Sequence, residues 1–282
     1  MIETNTARSP LFAQSSVQLE LPLDGPSLLS AVRASGRLKL SPDLDVLAWL
    51  SERLRTTGDA EGWVRFTLYE LGQAVYGDKP TGKHRQLLRA SIRRLVTLVV
   101  DLIGYDARAG RPDAKVATLD HLIDRVRSEL DELDTAADPR TTGALRGSTF
   151  EAQFAPWLRE QIGAGNVTYL NWRHLVQLSG LAKRLWVLLE SERYRRAAGG
   201  HPQTWLALGE RLYGTLGMNY AQPRQARAAL ARAGRTILEV DGRYVAIDLE
   251  HRGRGAWLLV ATRQTDRERA AVARTVRAAL AA

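Results

Sequence analysis

Cysteine is absent from this 282-residue chain. That excludes disulfide staples and thiolate metal sites, and it agrees with a cytoplasmic protein. No run of about 18 apolar residues occurs, so no membrane span is expected. The opening residues, Met1 to Pro10, lack the pattern of a cleavable signal. Lysine is scarce too, with five against 35 arginines. The five histidines, His84, His121, His174, His201 and His251, form no His-x-His pair and are not spaced as metal ligands on one helix. A metal-dependent nickase would need such a cluster to hold its cation. No metal site, cofactor or enzymatic activity is therefore expected.

Apolar residues make up 45% of the chain, enough for packed cores, and the length suggests about two domains. Forty basic residues against 31 acidic ones leave a net charge of +9 and a pI near 10.1. A field of that sign attracts polyanions, with nucleic acid first among them. An acidic membrane surface comes second, but no basic stretch carries bulky apolar anchors.

Residues 1–40 lack periodicity, contain Pro10, Pro22, Gly25, Pro26 and Gly36, and read as a flexible arm. Ser41-Pro42-Asp43 looks like a helix start. The helix runs to about Arg55 with Leu44, Leu47, Trp49, Leu50 and Leu54 on its apolar face. A short strand at Trp63–Thr67 and helices near 68–76 and 83–98 follow. A hairpin is expected next, with arms at Val100–Tyr105 and Lys115–Ile123 around a turn at 109–112. Residues 134–148 read as a linker.

The second half repeats this order. It has a long helix at 181–196, a short strand at 203–206, and helices at 207–216 and 223–233. Strands are expected at Thr236–Val240, Tyr244–Leu249 and Ala256–Ala261, with Asp241-Gly242 as a tight hairpin turn. An alanine-rich helix closes the chain over 266–282. The letters repeat as well. Ser51-Glu52-Arg53 returns as Ser191-Glu192-Arg193, and Val75-Tyr76-Gly77 returns as Leu212-Tyr213-Gly214. Arg85-Gln86 returns as Arg224-Gln225, and Thr97-Leu98 aligns with Thr236-Ile237. The order helix, strand, helix, helix, hairpin, occurring twice, points to a duplicated domain. The expected fold is α+β, mainly α: an arm over 1–40, winged-helix domains over 41–155 and 156–265, and a C-terminal helix.

The third helix of such a unit enters the major groove. In the first unit Arg85, Arg89 and Arg93 fall within about 80° of one another on a helical wheel, away from Leu88, Ile92, Leu95 and Val99. Lys83 and Gln86 lie nearby. Arginine binds phosphate or pairs with guanine, so this composition suits both positioning and reading. In the second unit Arg224, Arg227 and Arg232 are read as sharing one side, with Gln225 beside them and Ala226 and Leu230 facing away. Its wing carries Arg243, Arg252 and Arg254 around Gly253 and Gly255, and glycine lets a hairpin tip approach a phosphate backbone closely.

Gly77-Asp78-Lys79-Pro80-Thr81-Gly82-Lys83-His84 nearly matches a nucleotide loop. His84 stands where the Mg²⁺-binding hydroxyl belongs, and a helix precedes it rather than a strand, so a turn between helices is expected. Glu129, Asp131, Glu132 and Asp134 read as a solvated linker face, and the seven tryptophans as core. The arm contains Gln18-Leu19-Glu20-Leu21-Pro22-Leu23, similar to the hexapeptide by which bacterial replication proteins bind the sliding clamp. Gln18 offers an amide, Leu19, Leu21 and Leu23 offer pocket-filling groups, and Pro22 restrains the free peptide.

Three stretches resemble TrfA-type plasmid replication initiators: Ala7-Arg8-Ser9-Pro10-Leu11-Phe12, Phe66-Thr67-Leu68-Tyr69-Glu70-Leu71-Gly72-Gln73, and Leu178-Ser179-Gly180-Leu181-Ala182-Lys183-Arg184-Leu185-Trp186. The resemblance spans most of residues 7–260 with sparse matching letters. It implies two winged helices on directly repeated origin DNA (iterons), origin opening, recruitment of helicase and clamp, dimers that become monomers to act, and no catalytic site. The main alternative is a tandem winged-helix transcriptional regulator on a palindromic operator, which has no use for a clamp peptide. A relaxase or primase is disfavoured by the missing metal cluster and the incomplete nucleotide loop.

Overall fold

The computed structural model describes residues 2–3, 31–34, 38–77, 79–106, 111–128, 149–165, 167–193, 203–218, 222–253 and 255–264. Two short strands, β1 (Ile2–Glu3) and β2 (Ala31–Ala34), come first. The first winged helix contains α1 (Asp43–Thr57), β3 (Trp63–Thr67), α2 (Leu68–Tyr76) and α3 (Gly82–Thr97). Four strands follow: β4 (Val99–Asp106), β5 (Arg111–His121), β6 (Ile123–Ser128) and β7 (Thr149–Phe154). A connector holds α4 (Pro156–Gly163), β8 (Val167–Thr168) and α5 (Trp172–Gln177). The second winged helix contains α6 (Gly180–Arg193), β9 (Gln203–Ala207), α7 (Glu210–Thr215), α8 (Pro223–Val240), β10 (Tyr244–His251) and β11 (Trp257–Arg263).

Local chemistry sets the helix starts. The Thr67 hydroxyl accepts from the Glu70 N–H while the Glu70 carboxylate accepts from the Thr67 N–H, a reciprocal cap. Thr81 and His84 cap α3 in the same way, and His84 stacks on Tyr76 with ring centres 4.2 Å apart. Gly77, Lys79, Pro80 and Thr81 thus belong to a turn between two helices, as expected. Gly72 lets α2 pack onto that turn, because a Cβ there would meet Pro80 at 2.7 Å.

The two units share one sheet topology. In the second, β11 lies between β9 and β10; in the first, β7 lies between β3 and β6. Phe66 faces Phe150 in one register and Leu206 faces Leu259 in the other. This corrects the expected first wing. The hairpin over Val100–Ile123 forms as β4–β5, but it pairs with β2 in a separate sheet. The strand that pairs with β3 is β7, whose alternating Phe150, Ala152 and Phe154 are buried. The counterpart of the second wing, β10–β11, is therefore β6–β7, whose connection over 129–148 lies outside the described residues. Buried Leu122 separates β5 from β6, where the chain passes from one sheet to the other.

Two further expectations are overturned. Thr236–Val240 is no strand but the last part of α8. Ile237 continues the buried series Ala226, Ala229, Leu230, Ala233, and that packing outweighs the strand preference of a β-branched pair. The β10–β11 hairpin accordingly closes after the His251–Trp257 pair, not at Asp241-Gly242. The arm is not wholly apart from the fold either: Ile2 and Glu3 pair with β8, β2 pairs with β4, and Leu38 is buried. The C-terminal segment over 266–282 lies outside the described residues.

A single buried cluster runs from Leu38 through Ile237 to Ala261, so the two units share a core. The Trp172 indole N–H in α5 donates to the Ala74 carbonyl in α2 at 3.1 Å. Trp157 and Trp186 are buried, as expected of core tryptophans.

Candidate nucleic-acid interface

The third helix of each unit is held from behind. Asp43 at the start of α1 is buried and receives a two-pronged contact from Arg94 of α3, at 2.8 Å from Nε and 2.6 Å from Nη2. The hydrogen bond to Asp43 raises the Arg94 guanidinium above its ordinary value. With Leu88, Ser91, Ile92 and Leu95 buried, the opposite side of α3 faces outward. Lys83, Arg85, Gln86 and Arg93 are exposed on it, and Arg89 is half-buried. Leu87, Ala90 and Thr97 are exposed as well. Arg93 and Arg94 are neighbours in sequence, yet one faces outward and the other binds α1.

In α8, Arg224, Gln225, Ala228, Arg232, Arg235 and Glu239 are exposed, and Arg227 is half-buried. The structure does not put all the expected arginines on one face. The Arg227 guanidinium lies 4.5 Å from the Trp257 ring centre, packed onto β11. Arg235 joins the outward face instead. Sequence reasoning missed it by ending the helix at 233; Ile237, four residues after Ala233 on the same apolar stripe as Ala226, Ala229 and Leu230, was the available signal.

Arg243 is committed to the interior. Its guanidinium contacts Asp241 at 2.7 Å and 2.5 Å and lies 3.7 Å from Glu190. Asp241 also accepts from the Trp186 indole at 2.9 Å. Burial acts to raise the Asp241 carboxyl, but the hydrogen bonds from Arg243 and Trp186 outweigh it and hold the group well below the usual carboxylate range. Glu190 in turn binds Arg263 and the Tyr244 hydroxyl, so α6, β10 and β11 are joined through one buried network. The Arg184 guanidinium is buried and donates to the Thr215 carbonyl at 3.1 Å, fixing α6 to the end of α7; burial pulls it down to about 10.

The second wing tip carries Arg252 beside Gly253 and Gly255, which have φ of 80° and 77°. Arg252 is exposed and pairs with Glu250 at 2.5 Å, while Arg254 lies outside the described residues. On the first wing Arg127 lies over Trp63 and bonds Glu151. The clamp-like residues Gln18, Leu19, Leu21 and Leu23 lie outside the described residues. The other described histidines have structural neighbours: the His121 ring lies 3.1 Å from the Leu98 carbonyl, His174 lies 3.3 Å from Asp241, and His251 packs on Trp257. Among the described residues, no helix is long and apolar enough to cross a membrane.

No protein-family model matches the chain, and no curated protein matches its sequence. Solved structures do. The chain is similar to a crystal structure of selenomethionine derivatives of domains 2 and 3 of RctB, with a TM-score of 0.60 at 15% identity, covering 93% of this chain and 98% of that one. A second structure of RctB domains 2–3 matches with a TM-score of 0.53 at 14% identity, over 91% and 94% of the two chains. At such identity the likeness is one of fold, and it extends across both winged helices together.

Proposed function

We propose that the chain is a plasmid replication initiator that binds directly repeated origin DNA through both winged helices, without catalysis of its own. The observation that carries this is the pairing of two outward third-helix faces, Lys83-Arg85-Gln86-Arg93 and Arg224-Gln225-Arg232-Arg235, on units that share one core. Cationic and amide side chains on an exposed helix supply phosphate contacts and base-edge hydrogen bonds together. The chain-long likeness to RctB domains 2 and 3 supports the tandem arrangement. The resemblance to TrfA-type initiators supports the replication role, with a homodimeric resting form and contacts to the replicative helicase and, through Gln18–Leu23, the sliding clamp. The domain limits 41–155 and 156–265 belong to the same proposal.

The test is recovery of bound sequences from random duplexes with the full chain. Tandem direct repeats support the initiator. A palindrome overturns it in favour of a tandem winged-helix regulator.

A further inference from the structure

The third helices repeat in their letters at one offset and in their packing at another. Arg85-Gln86 matches Arg224-Gln225 in letters, 139 positions on. Burial sets a different equivalence. Leu88, Ser91, Ile92 and Leu95 of α3 are buried in the same spacing as Ala226, Ala229, Leu230 and Ala233 of α8, 138 positions on. One residue turns a helix by about 100°, so letters and packing cannot both define the outward face. The core decides, because a buried stripe sets how a helix lies against its unit. Gln86 stands two residues before buried Leu88, and Arg224 stands two residues before buried Ala226. Gln86 is therefore equivalent to Arg224, and Gln225 to Leu87.

The neighbours fit this register. Ala90 and Ala228 coincide, and both are exposed. A methyl group there leaves the helix free to approach the groove floor one turn beyond Gln86 or Arg224. Arg89 coincides with Arg227, and both are half-buried. Both Gln86 and Arg224 lie within the first two turns of their helices, the N-terminal part of a recognition helix that reaches base edges. Neither enters a hydrogen bond or ion pair with another described residue.

A glutamine amide matches the N6 and N7 edge of adenine, whereas a guanidinium matches O6 and N7 of guanine. We infer that Gln86 and Arg224 hold the same position in the two units and read adenine and guanine respectively, so that one binding site consists of two unlike half-sites. This rests on the DNA-binding reading above. An unlike pair of half-sites gives a site with direction, as a direct repeat requires and a palindrome does not.

The experiment uses the full chain and its selected duplex, with every base pair changed singly, against wild type, Gln86→Arg, Arg224→Gln and Gln225→Ala. Melting temperatures should stay unchanged, since all three positions are exposed. Gln86→Arg should move the preference at one pair from A·T to G·C, and Arg224→Gln should move one pair in the other half from G·C to A·T, each by about tenfold. Gln225→Ala should move neither. Swaps that weaken every duplex alike, or a loss of the guanine preference in Gln225→Ala but not in Arg224→Gln, would overturn the assignment while leaving DNA binding intact. A wild-type chain with no specific duplex overturns the DNA-binding reading itself.

Discussion

Lys183 Nζ lies 2.8 Å from Asp45 Oδ1 and 2.9 Å from Oδ2, inside the protein, and joins the first helix of one winged helix to the first helix of the other. Among the described residues, only the Ser41 hydroxyl adds a further side-chain hydrogen bond to Asp45, at 2.7 Å. Burial raises the Asp45 carboxyl above its ordinary value, although Lys183 pulls the other way. The pair thus carries a large desolvation cost and holds the two units in one relative position. Any DNA site read by both α3 and α8 takes its spacing from that position.

Lys183→Met leaves a buried carboxylate without its counter-charge and should cost about 3–5 kcal/mol. Asp45→Leu combined with Lys183→Met should recover most of that, because two apolar groups leave nothing unpaired. The pH dependence has a definite sign. A folded-state carboxyl pKa raised above the unfolded value means the folded chain takes up its proton first. Lowering the pH therefore favours the folded form of Lys183→Met, and its deficit against wild type should be smaller at pH 5 than at pH 7. Urea denaturation of the single and double variants at both pH values measures this. A double variant as unstable as the single one would show that the charges themselves stabilise the junction.

Asp241 predicts the opposite slope. Its folded pKa is held below the unfolded value, so its contribution is present above about pH 4 and is lost as pH falls through the folded value. Asp241→Asn keeps the shape but loses the charge that Arg243 and Trp186 address, and should cost about 1–3 kcal/mol at neutral pH. Its acid unfolding should be flatter than that of wild type below pH 4. Circular dichroism across an acid titration would show it, and parallel acid limbs would assign the depressed group elsewhere.

Particular residues show how far the sequence carried. Trp63–Thr67 and Gln203–Ala207 were legible as equivalent strands, because each is a short apolar segment between a helix and a turn, 140 positions apart. Thr149–Phe154 alternates as clearly, but it follows a polar linker and pairs with a strand more than 80 positions earlier, which local pattern does not reveal. Thr236-Ile237 has the composition of a strand, and only the tertiary burial of Ile237 keeps it helical. The outward arginines of α3 were visible on a helical wheel. That Arg243 is internal was not, since the burial of its near partner Asp241 depends on Trp186 and the more distant Glu190 comes from the same helix α6.

Binding to duplex DNA should depend steeply on salt. Docking of both units would neutralise about 6–10 phosphates, and affinity should then fall by about 10³–10⁵ between roughly 50 and 200 mM salt. Fluorescence anisotropy over that range measures the slope. A flat response would limit contact to a single unit or fewer.

The arm peptide should bind the sliding clamp on its own. Two buried leucines supply about 1.5–3 kcal/mol each, offset in part by ordering the peptide, so an affinity near micromolar is expected. Calorimetry with a peptide spanning residues 14–26 tests it, beside the Gln18→Ala, Leu21→Ala double variant. Equal heats from the two peptides would remove the clamp from the proposed mechanism.

Arg93 and Arg94 separate reading from support within one turn of α3. Arg93 is exposed and enters no ion pair with another described residue. Its neighbour is one-quarter exposed and binds Asp43, which is fully buried. Arg93→Ala should weaken DNA binding by about 1–3 kcal/mol if it reaches a base, or weaken all duplexes alike if it meets phosphate, with folding stability unchanged. Arg94→Ala leaves the Asp43 carboxylate buried with, among the described residues, only the Lys39 N–H, at 2.7 Å, still donating to it. It should destabilise the first winged helix by about 3–5 kcal/mol. Because α3 then loses its attachment to α1, DNA affinity should fall too, but through the folded fraction and the helix position rather than a lost contact. Arg94→Lys separates the two causes. It restores a charge without the two-pronged geometry, so it should recover part of the stability and leave the base preference of the wild type in place. Denaturation curves and binding to singly substituted duplexes, run on the same three proteins, decide the matter. A change of base preference in Arg94→Lys would make Arg94 a reading residue and reverse the assignment of the two arginines.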